Sequence, residues 1–288
     1  MKRLALLGSL AVLACVVAVA ASAGEPPLWA AAPLGLVQTH GKAGRGGGGS
    51  GQNLIYHSGS IMTDAAVTPI FWGTNWANSS FAGDKITGLD SFYGGIGGSN
   101  YIGTNTEYTG SNGQVTRTVT SSNHMLDTSS SLTHAPSTSE VLAEVSRRIT
   151  NPKSDGYYPV YTDLARGSAG YCAWHSWGYV GTTLVQFAFF FSLDNDPGCT
   201  AGSSPGHSDG LTSLGNVSGH ELSEALTDPH GDAWYDRRGS ENADKCAWTF
   251  HGTETFSDQS TWYVQGNWSN AAAANHSGYD GAGCINGN

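Results

Sequence analysis

Three side chains with chemically useful spacing lie in the stretch His220-Glu221-Leu222-Ser223-Glu224. On an α-helix, His220 and Glu224 are four positions apart and share a face, so their polar ends can converge on one ion. Glu221 is rotated by about 100° from His220, which lets it reach a metal-bound water without being a ligand. The spacing predicts a metal site in which two side chains bind the ion and a third acts as a base.

A third ligand must come from elsewhere, because a catalytic zinc takes three protein ligands and leaves a fourth position for water. The residues downstream of the motif offer four candidates: Asp228, His230, Glu241 and Asp244. His230 lies ten residues after His220, which is the spacing of the third ligand in metzincins. The residues alone leave this choice open.

The motif resembles the H-E-x-x-H sequence of zinc peptidases, with Glu224 in place of the second histidine. The stretch from His220 to Asp228 is similar to the active-site helix of thermolysin-like gluzincins, whose third ligand is a downstream Glu followed by an orienting Asp. This resemblance implies roles for five residues: His220, Glu224 and Glu241 as metal ligands, Glu221 as general base, and Asp244 as the orienting carboxylate.

Over a longer range, the chain resembles the phosphate-induced, or Exordium-like, secreted family, and its bacterial members more closely. The matches extend from about Val67 to Cys284. This family usually has glutamate where Glu224 stands. It does not require a histidine at position 230, so the resemblance makes His230 a less favoured candidate for the third ligand. The matching residues are His220-Glu221-Leu222-x-Glu224, Pro229, Ala233-Trp234-Tyr235, Glu241-x-Ala243-Asp244-x-Cys246 and Cys172-x-x-His175.

A ligand set of one histidine and two glutamates would leave zinc formally neutral and make it a weaker Lewis acid than a histidine-rich site. The oxygen ligands would also suit manganese or calcium. Zinc is the expected metal. Peptide hydrolysis further needs a donor for the tetrahedral oxyanion, and four side chains remain open for this role: Tyr235, His175, His207 and His251.

The motif needs a helix to position it, and the sequence predicts one over Leu211–Thr227. Asp209 or Thr212 can cap its start, and Asp228-Pro229 ends it because proline disfavours helix in the preceding residue. The helix is mostly apolar and must be buried. No Lys or Arg occurs between Arg166 and Arg237, so we expect a metal cation to compensate the buried carboxylates.

The other predicted elements alternate only partly between strands and helices, which favours an α+β class with a mixed sheet over a regular α/β repeat. The Thr183–Leu193 run predicts a central strand buried on both faces. With the resemblance, this implies a zincin-like metallopeptidase domain with a buried active-site helix. The remaining elements are a strand over Ala65–Trp72 placed at an edge by Pro69, a short strand at Pro159–Thr162, and helices over Phe81–Phe92 and Ser139–Ile149.

The chain divides into three parts. Residues 1–23 have the basic start, apolar centre and Ala-Ser-Ala ending of a secretory signal peptide, so we expect secretion and no stable membrane association afterwards. Residues 24–52 are a Gly- and Ala-rich leader, linker or propeptide, with too little apolar surface to fold. Residues 53–288 form a single domain.

The charge and the cysteine content of the chain indicate which kinds of partner and which cellular environment to expect. Loss of Lys2 and Arg3 with the signal peptide would shift the formal charge from −10 to −12, which argues against nucleic acid and anionic membranes as partners. Four cysteines remain, an even number typical of two disulfides in a secreted chain. Pairing between neighbours in sequence is favoured: Cys172 with Cys199 and Cys246 with Cys284. Oligomeric state is not indicated.

The main functional hypothesis is a secreted zinc-dependent endopeptidase with a polypeptide substrate. A second hypothesis, from another class, is an extracellular binding or signalling protein whose metal site is structural. Carbohydrate binding is a third, weaker alternative. It is suggested by the content of nine Trp and twelve Tyr, including Trp234, Trp248, Trp262 and Trp268.

Overall fold

A computed structural model describes residues 28–40 and 52–287. The described residues form sixteen strands, numbered in chain order. They are β1 (Leu34–Gln38), β2 (Ile55–Tyr56), β3 (Ala65–Val67), β4 (Ile70–Trp72), β5 (Thr109–Gly110), β6 (Gly113–Gln114), β7 (Val119–Ser121), β8 (Met125–Asp127), β9 (Gly156–Ala165), β10 (Tyr171–Val180), β11 (Thr183–Ser192), β12 (Trp234–Tyr235), β13 (Glu254–Thr255), β14 (Thr261–Trp262), β15 (Asn267–Trp268) and β16 (Cys284–Ile285).

Eight of these strands form one mixed sheet in the order β1-β10-β11-β9-β3-β7, with β4 paired to both β9 and β8. The β1/β10 and β10/β11 pairs are antiparallel, whereas the pairs from β11 through β9 to β3, β4, β7 and β8 are parallel. The other strands form four small two-stranded ladders. The predicted α+β class with a mixed sheet is confirmed.

Strand β11 lies between β10 and β9, and its residues from Val185 to Phe191 are buried. This confirms the predicted central strand. The neighbouring β9 is longer than the predicted Pro159–Thr162, and Pro159 itself lies inside the sheet, opposite Ala188.

The predicted strand over Ala65–Trp72 is found as β3 and β4, but its placement at an edge is wrong. The segment is interior to the sheet, since β3 and β4 both pair with β9 on one side, and with β7 and β8 on the other. Pro69, which cannot donate to a ladder, lies in the break between the two short strands. Its carbonyl still accepts a hydrogen bond from the Met125 backbone amide at 2.8 Å.

Helices pack on the sheet and in the segments between its strands. The predicted helix over Ser139–Ile149 is found at Thr138–Arg148, and Ser137 and Glu140 form a capping box at its start. The α-helices are Ser79–Ala82, Lys85–Ile96, Asn100–Gly103, Thr138–Arg148, Asp209–Thr227 and Asn270–Ala274, and 3₁₀ turns occur at Thr74–Ala77, Thr104–Glu107 and Asp244–Cys246.

Two disulfides, Cys172–Cys199 and Cys246–Cys284, join the pairs that are nearest in sequence. Among the described residues, no helix combines the length and the apolar character needed to cross a membrane. The predicted signal peptide, residues 1–23, lies outside the described residues.

The expectation that residues 24–52 have too little apolar surface to fold does not hold for residues 28–40. They contain β1, which extends the main sheet, and Val37 within it is buried. The composition of the leader argued against order because it offers few apolar side chains. The segment pairs with β10 through its backbone and packs Val37 into the core and Trp29 on Trp177.

Candidate metal centre

The motif helix, Asp209–Thr227, lies beneath β10 and β11, and its residues from Gly210 to Thr227 are all buried. Its N-cap is Ser208, not the predicted Asp209 or Thr212. The Ser208 side chain accepts a hydrogen bond from the Leu211 backbone amide at 3.1 Å and donates to Asp84 at 2.6 Å. This anchored cap sets the position of the first turn.

Most polar side chains on this buried helix have hydrogen-bond partners. Ser218 and Tyr161 share a hydrogen bond of 2.6 Å, and Ser223 accepts one from Asn267 at 3.0 Å. Asn216 accepts one from the Gln265 backbone amide at 2.8 Å. The exceptions are concentrated around the motif residues, which marks that region as chemically different.

The structure brings together two overlapping groups of side chains that could hold a metal ion. One group is His175, Glu224 and Glu241, and the other is His220, Glu224 and Asp244. Within each group, the ligand atoms lie within 4.8 Å of one another. Glu224 belongs to both, and the expected set of His220, Glu224 and Glu241 is thus distributed over two groups.

The nitrogen and oxygen atoms of these groups approach without forming hydrogen bonds. The Nε2 of His220 lies 3.0 Å from Glu224 Oε1 and 3.6 Å from Asp244 Oδ1, and the Nε2 of His175 lies 3.4 Å from Glu241 Oε2. Both Nε2 atoms and Glu241 Oε2 are buried and lack a partner with hydrogen-bond geometry. Converging donor atoms without partners fit a bound cation.

The turn from Glu241 to Asp244 is held against the motif helix by its backbone. The Asp244 amide donates to Glu224 Oε1 at 2.8 Å, and the Glu241 amide donates to Asp244 Oδ2 at 3.3 Å. The Asn242 side chain donates to Asn105 at 2.8 Å. Asp244 therefore both orients the turn and faces His220.

Gln265 determines which nitrogen of His220 carries the proton. Its amide nitrogen donates to the Ala243 carbonyl at 2.8 Å and its amide oxygen accepts from the Trp248 backbone at 3.2 Å. With this orientation, the same nitrogen donates to His220 Nδ1 at 3.1 Å. Nε2 of His220 then carries a proton on the Glu224 side; burial opposes protonation of this ring, but the Glu224 and Asp244 carboxylates outweigh it and raise the pKa of His220 well above its usual range. The His175 group is the better metal site, because ligation needs a nitrogen without a proton.

Burial governs the ionisation of the cluster. It raises the pKa values of Glu221 and Glu241 well above their usual range and, with Asp244, that of Glu224 to about 7. Burial also lowers the pKa of His175 to about 3, which keeps this imidazole neutral and able to bind a metal. A divalent cation bound between the carboxylates would stabilise their ionised forms and lower their pKa values.

Glu221 lies on the side of the helix that faces β1. It is completely buried, and neither carboxylate oxygen has a partner with hydrogen-bond geometry. The backbone amide of Val37 is close enough to favour its ionised form, although burial dominates and raises the pKa. A buried carboxylate without a hydrogen-bond partner is suited to accept a proton from a substrate or water.

The alternative ligands Asp228 and His230 belong to neither group. Asp228 accepts a hydrogen bond from the Ala233 amide at 2.7 Å. The ring nitrogens of His230 lie 3.2 Å from Ser60 Oγ and 3.1 Å from Gln186 Nε2. Both residues help to shape the chain that follows the motif helix.

Of the four candidate oxyanion donors, only His175 lies in the cluster. His207 stacks on Trp262, His251 on Tyr279 and Tyr235 on His57. The tryptophans considered for carbohydrate binding are not an exposed row either, since Trp262 and Trp268 are buried and Trp234 and Trp248 are half-buried.

His175 is the group member that sequence reasoning did not identify as a ligand. It lies in β10, opposite Leu34 of β1 and Ala188 of β11, and it is completely buried. The available signal was Cys172-x-x-His175, which contributed to the family resemblance. A histidine within a strand of aromatic and small residues was a further indication that this position faces a site.

Comparison of the chain with protein-family models, curated proteins and solved structures gave no match in any of the three. Membership of the phosphate-induced family therefore stays a prediction.

Proposed function

We propose that this protein is a metal-dependent hydrolase of peptide bonds with a zincin-like domain. We also propose that it is secreted, which its two disulfides would suit. One observation carries the proposal. Glu221, Glu224 and Glu241 are buried together with two histidines, and no Lys or Arg in the described part of the chain forms an ion pair with these glutamates. Burying such a cluster is costly unless a cation pairs with it.

His175, Glu224 and Glu241 are the proposed ligands, because their donor atoms converge and His175 is neutral. Their one nitrogen and two carboxylates suit zinc, with manganese as the closest alternative. A metal ion bound there would act as a Lewis acid on the scissile carbonyl and lower the pKa of a nearby water. His220 lies beside the ligands, with its Nε2 3.0 Å from Glu224 Oε1.

Glu221 is the proposed general base. It follows His220 on the motif helix, so its side chain is rotated by about 100° from that of His220. Burial raises its pKa, and a cation bound nearby would favour the ionised carboxylate that a general base requires. It would take a proton from water and deliver it to the leaving amine. Asp244 keeps Glu224 and the Glu241 turn in register through its backbone amide and carboxylate.

Glu221→Gln tests the assignment. The variant should bind zinc as the wild type does, because Glu221 belongs to neither ligand group, and should lose peptide hydrolysis by about a hundredfold or more. Metal content and activity on a denatured protein substrate would be measured on the same preparation. Retained hydrolysis in a preparation free of contaminating proteases would refute the role of Glu221.

A second candidate is a non-catalytic extracellular binding or signalling protein with a structural metal. It is favoured by the complete burial of His175, His220 and Glu224, because structural sites are closed whereas catalytic sites keep an open position. Zinc bound at one ion per chain, with no hydrolysis of any peptide library by the wild type, would select this candidate.

A further inference from the structure

A short N-terminal segment covers the candidate metal centre. We define the N-terminal strap as residues 28–40. It contains β1 and runs antiparallel to β10, with Leu34 opposite His175 and Val37 opposite Ala173. The pairing is irregular on both sides of Val37, so the strap follows β10 without completing a regular ladder.

The strap is held by backbone hydrogen bonds and by side-chain contacts, since Val37 lies in the core, Trp29 packs on Trp177 and His40 stacks on Trp248. The Ala31 amide donates to the Trp177 carbonyl at 2.9 Å, and the Ser176 hydroxyl donates to the Ala31 carbonyl at 3.1 Å. At the other end, the His40 amide donates to the Gly198 carbonyl at 3.0 Å. In peptides that add a strand to a sheet edge, backbone hydrogen bonds of this kind give affinity, and pockets for particular side chains give specificity.

Gly35 brings the strap backbone directly onto the ligand groups. Its φ is +51°, and a Cβ at this position would overlap Glu224 Oε2 and lie 2.8 Å from His175 Nε2. Two residues later, Val37 is completely buried and its amide faces Glu221. The strap thus passes the proposed ligands and the proposed base within one short stretch.

We propose that the strap occupies the place of an extended peptide substrate, which would bind antiparallel to β10 in the same groove. This inference rests on the proposed function for the chemistry, but the binding groove can be tested without it. The substrate class that follows is an extended peptide with glycine where Gly35 lies and an aliphatic side chain where Val37 lies.

Two features support a replaceable strap over a permanent strand. β1 is the outermost strand next to β10, so its departure would leave β10 as an unpaired edge that another extended chain can fill. The sequence from Gly44 to Gly51, Gly-Arg-Gly-Gly-Gly-Gly-Ser-Gly, then connects the strap to the domain. The bound strap buries the site. A site that opens when the strap leaves can be closed in this structure and still be catalytic.

The experiment introduces the recognition sequence of a site-specific protease at Gly46–Ser50 of the full chain. The oxidised, zinc-loaded protein is then cut at that sequence. The first measurement is the rate at which a chelator removes zinc, before and after cutting. The second is the binding of a fluorescent synthetic peptide of residues 28–40 to the cut protein, followed by anisotropy.

We expect cutting to release the strap on dilution, and to speed zinc removal at least tenfold. The synthetic peptide should bind to the cut protein and slow zinc removal again. A matched pair of peptides tests the geometry. The Gly35→Ala peptide should fail to bind, whereas the Leu36→Ala peptide should bind normally, because Leu36 is 39% exposed.

The inference is overturned if the strap stays bound after dilution, if the labelled peptide does not bind to the strap-free protein, or if the Gly35→Ala peptide binds as well as the others. Failure of the proposed function looks different. In that case the strap is released and the peptide binds, but no peptide is hydrolysed in either form. If zinc does not bind, the peptide measurements alone decide the inference.

Discussion

Replacing Glu224 with glutamine should stabilise the metal-free protein and remove its stabilisation by zinc. Burial and the nearby Asp244 raise the pKa of Glu224 from 4.5 to about 7. At about 1.4 kcal/mol per pKa unit, the ionised side chain costs the metal-free protein on the order of 3 kcal/mol above pH 7. Glutamine has nearly the same shape and avoids this cost.

The pH dependence follows from the direction of the shift. The folded state holds the Glu224 proton to higher pH than the unfolded state does, so the free energy of unfolding of the metal-free wild type falls as the pH rises from 4.5 to about 7. The glutamine variant lacks this fall. The two proteins should therefore differ little at pH 4 and most at pH 8.

Zinc should reverse the order of stability. At a free zinc concentration of about 100 times Kd, a ligand that binds only the folded state adds about 2.7 kcal/mol. The variant should gain little, because Glu224 contributes to both ligand groups. Urea unfolding followed by tryptophan fluorescence, with disulfides intact, would be measured at pH 4 and pH 8 in chelator and in zinc.

Glu144→Gln is the matched control. Glu144 is also completely buried, but it is paired with Arg147 and Arg148. Its replacement should lower the free energy of unfolding in chelator and in zinc alike, because Arg147 loses its ion pair with Glu144 and Arg148 keeps only the one with Asp127. A Glu224→Gln protein that is less stable than wild type in chelator at pH 8, or that zinc stabilises as strongly as wild type, would refute the reasoning.

Two further predictions concern single side chains. His175→Ala should lower zinc affinity more than a hundredfold, and His220→Ala by about ten- to a hundredfold, whereas His230→Ala should leave it unchanged. Zinc affinity would be measured by competition with a fluorescent chelator. Equal losses of affinity in all three variants would contradict the ligand assignment. Burial opposes ionisation of Asp127, but hydrogen bonds from Ser129 and Arg148 outweigh it and lower its pKa from 3.8 to about 2. Asp127→Asn should therefore lower the free energy of unfolding by about 2 kcal/mol at pH 7, and this difference should disappear as the pH falls through 2. A variant as stable as wild type in urea at pH 7 would refute this.

Local patterns in the sequence predicted the elements whose causes are local. The motif helix follows from its apolar surface and its Asp228-Pro229 ending, and the convergence of His220 with Glu224 follows from helical periodicity. The central strand β11 follows from an unbroken apolar run. These features need no knowledge of the rest of the chain.

The features that were missed depend on contacts between distant segments. His175 reaches Glu224 only because β10 pairs with β11 and lies over the motif helix. The N-terminal strap pairs with β10 and packs on side chains far away in sequence, such as Trp177 and Trp248, which the composition of the strap does not reveal. The proton position on His220 depends on Gln265, which is 45 residues away in sequence and is oriented by two backbone groups.

The two disulfides have a consequence for biogenesis. Each one anchors a segment that carries cluster residues: Cys172 lies three residues before His175, and Cys246 lies two residues after Asp244. His220 and Glu224, by contrast, are brought together by their own helix. We expect a chain made in a reducing compartment to hold only the helical half of the site in place. Full zinc affinity would then appear only after oxidation, so the activity proposed for this site would be absent from a reducing compartment. Reduced protein that binds zinc as tightly as oxidised protein would contradict this order of assembly.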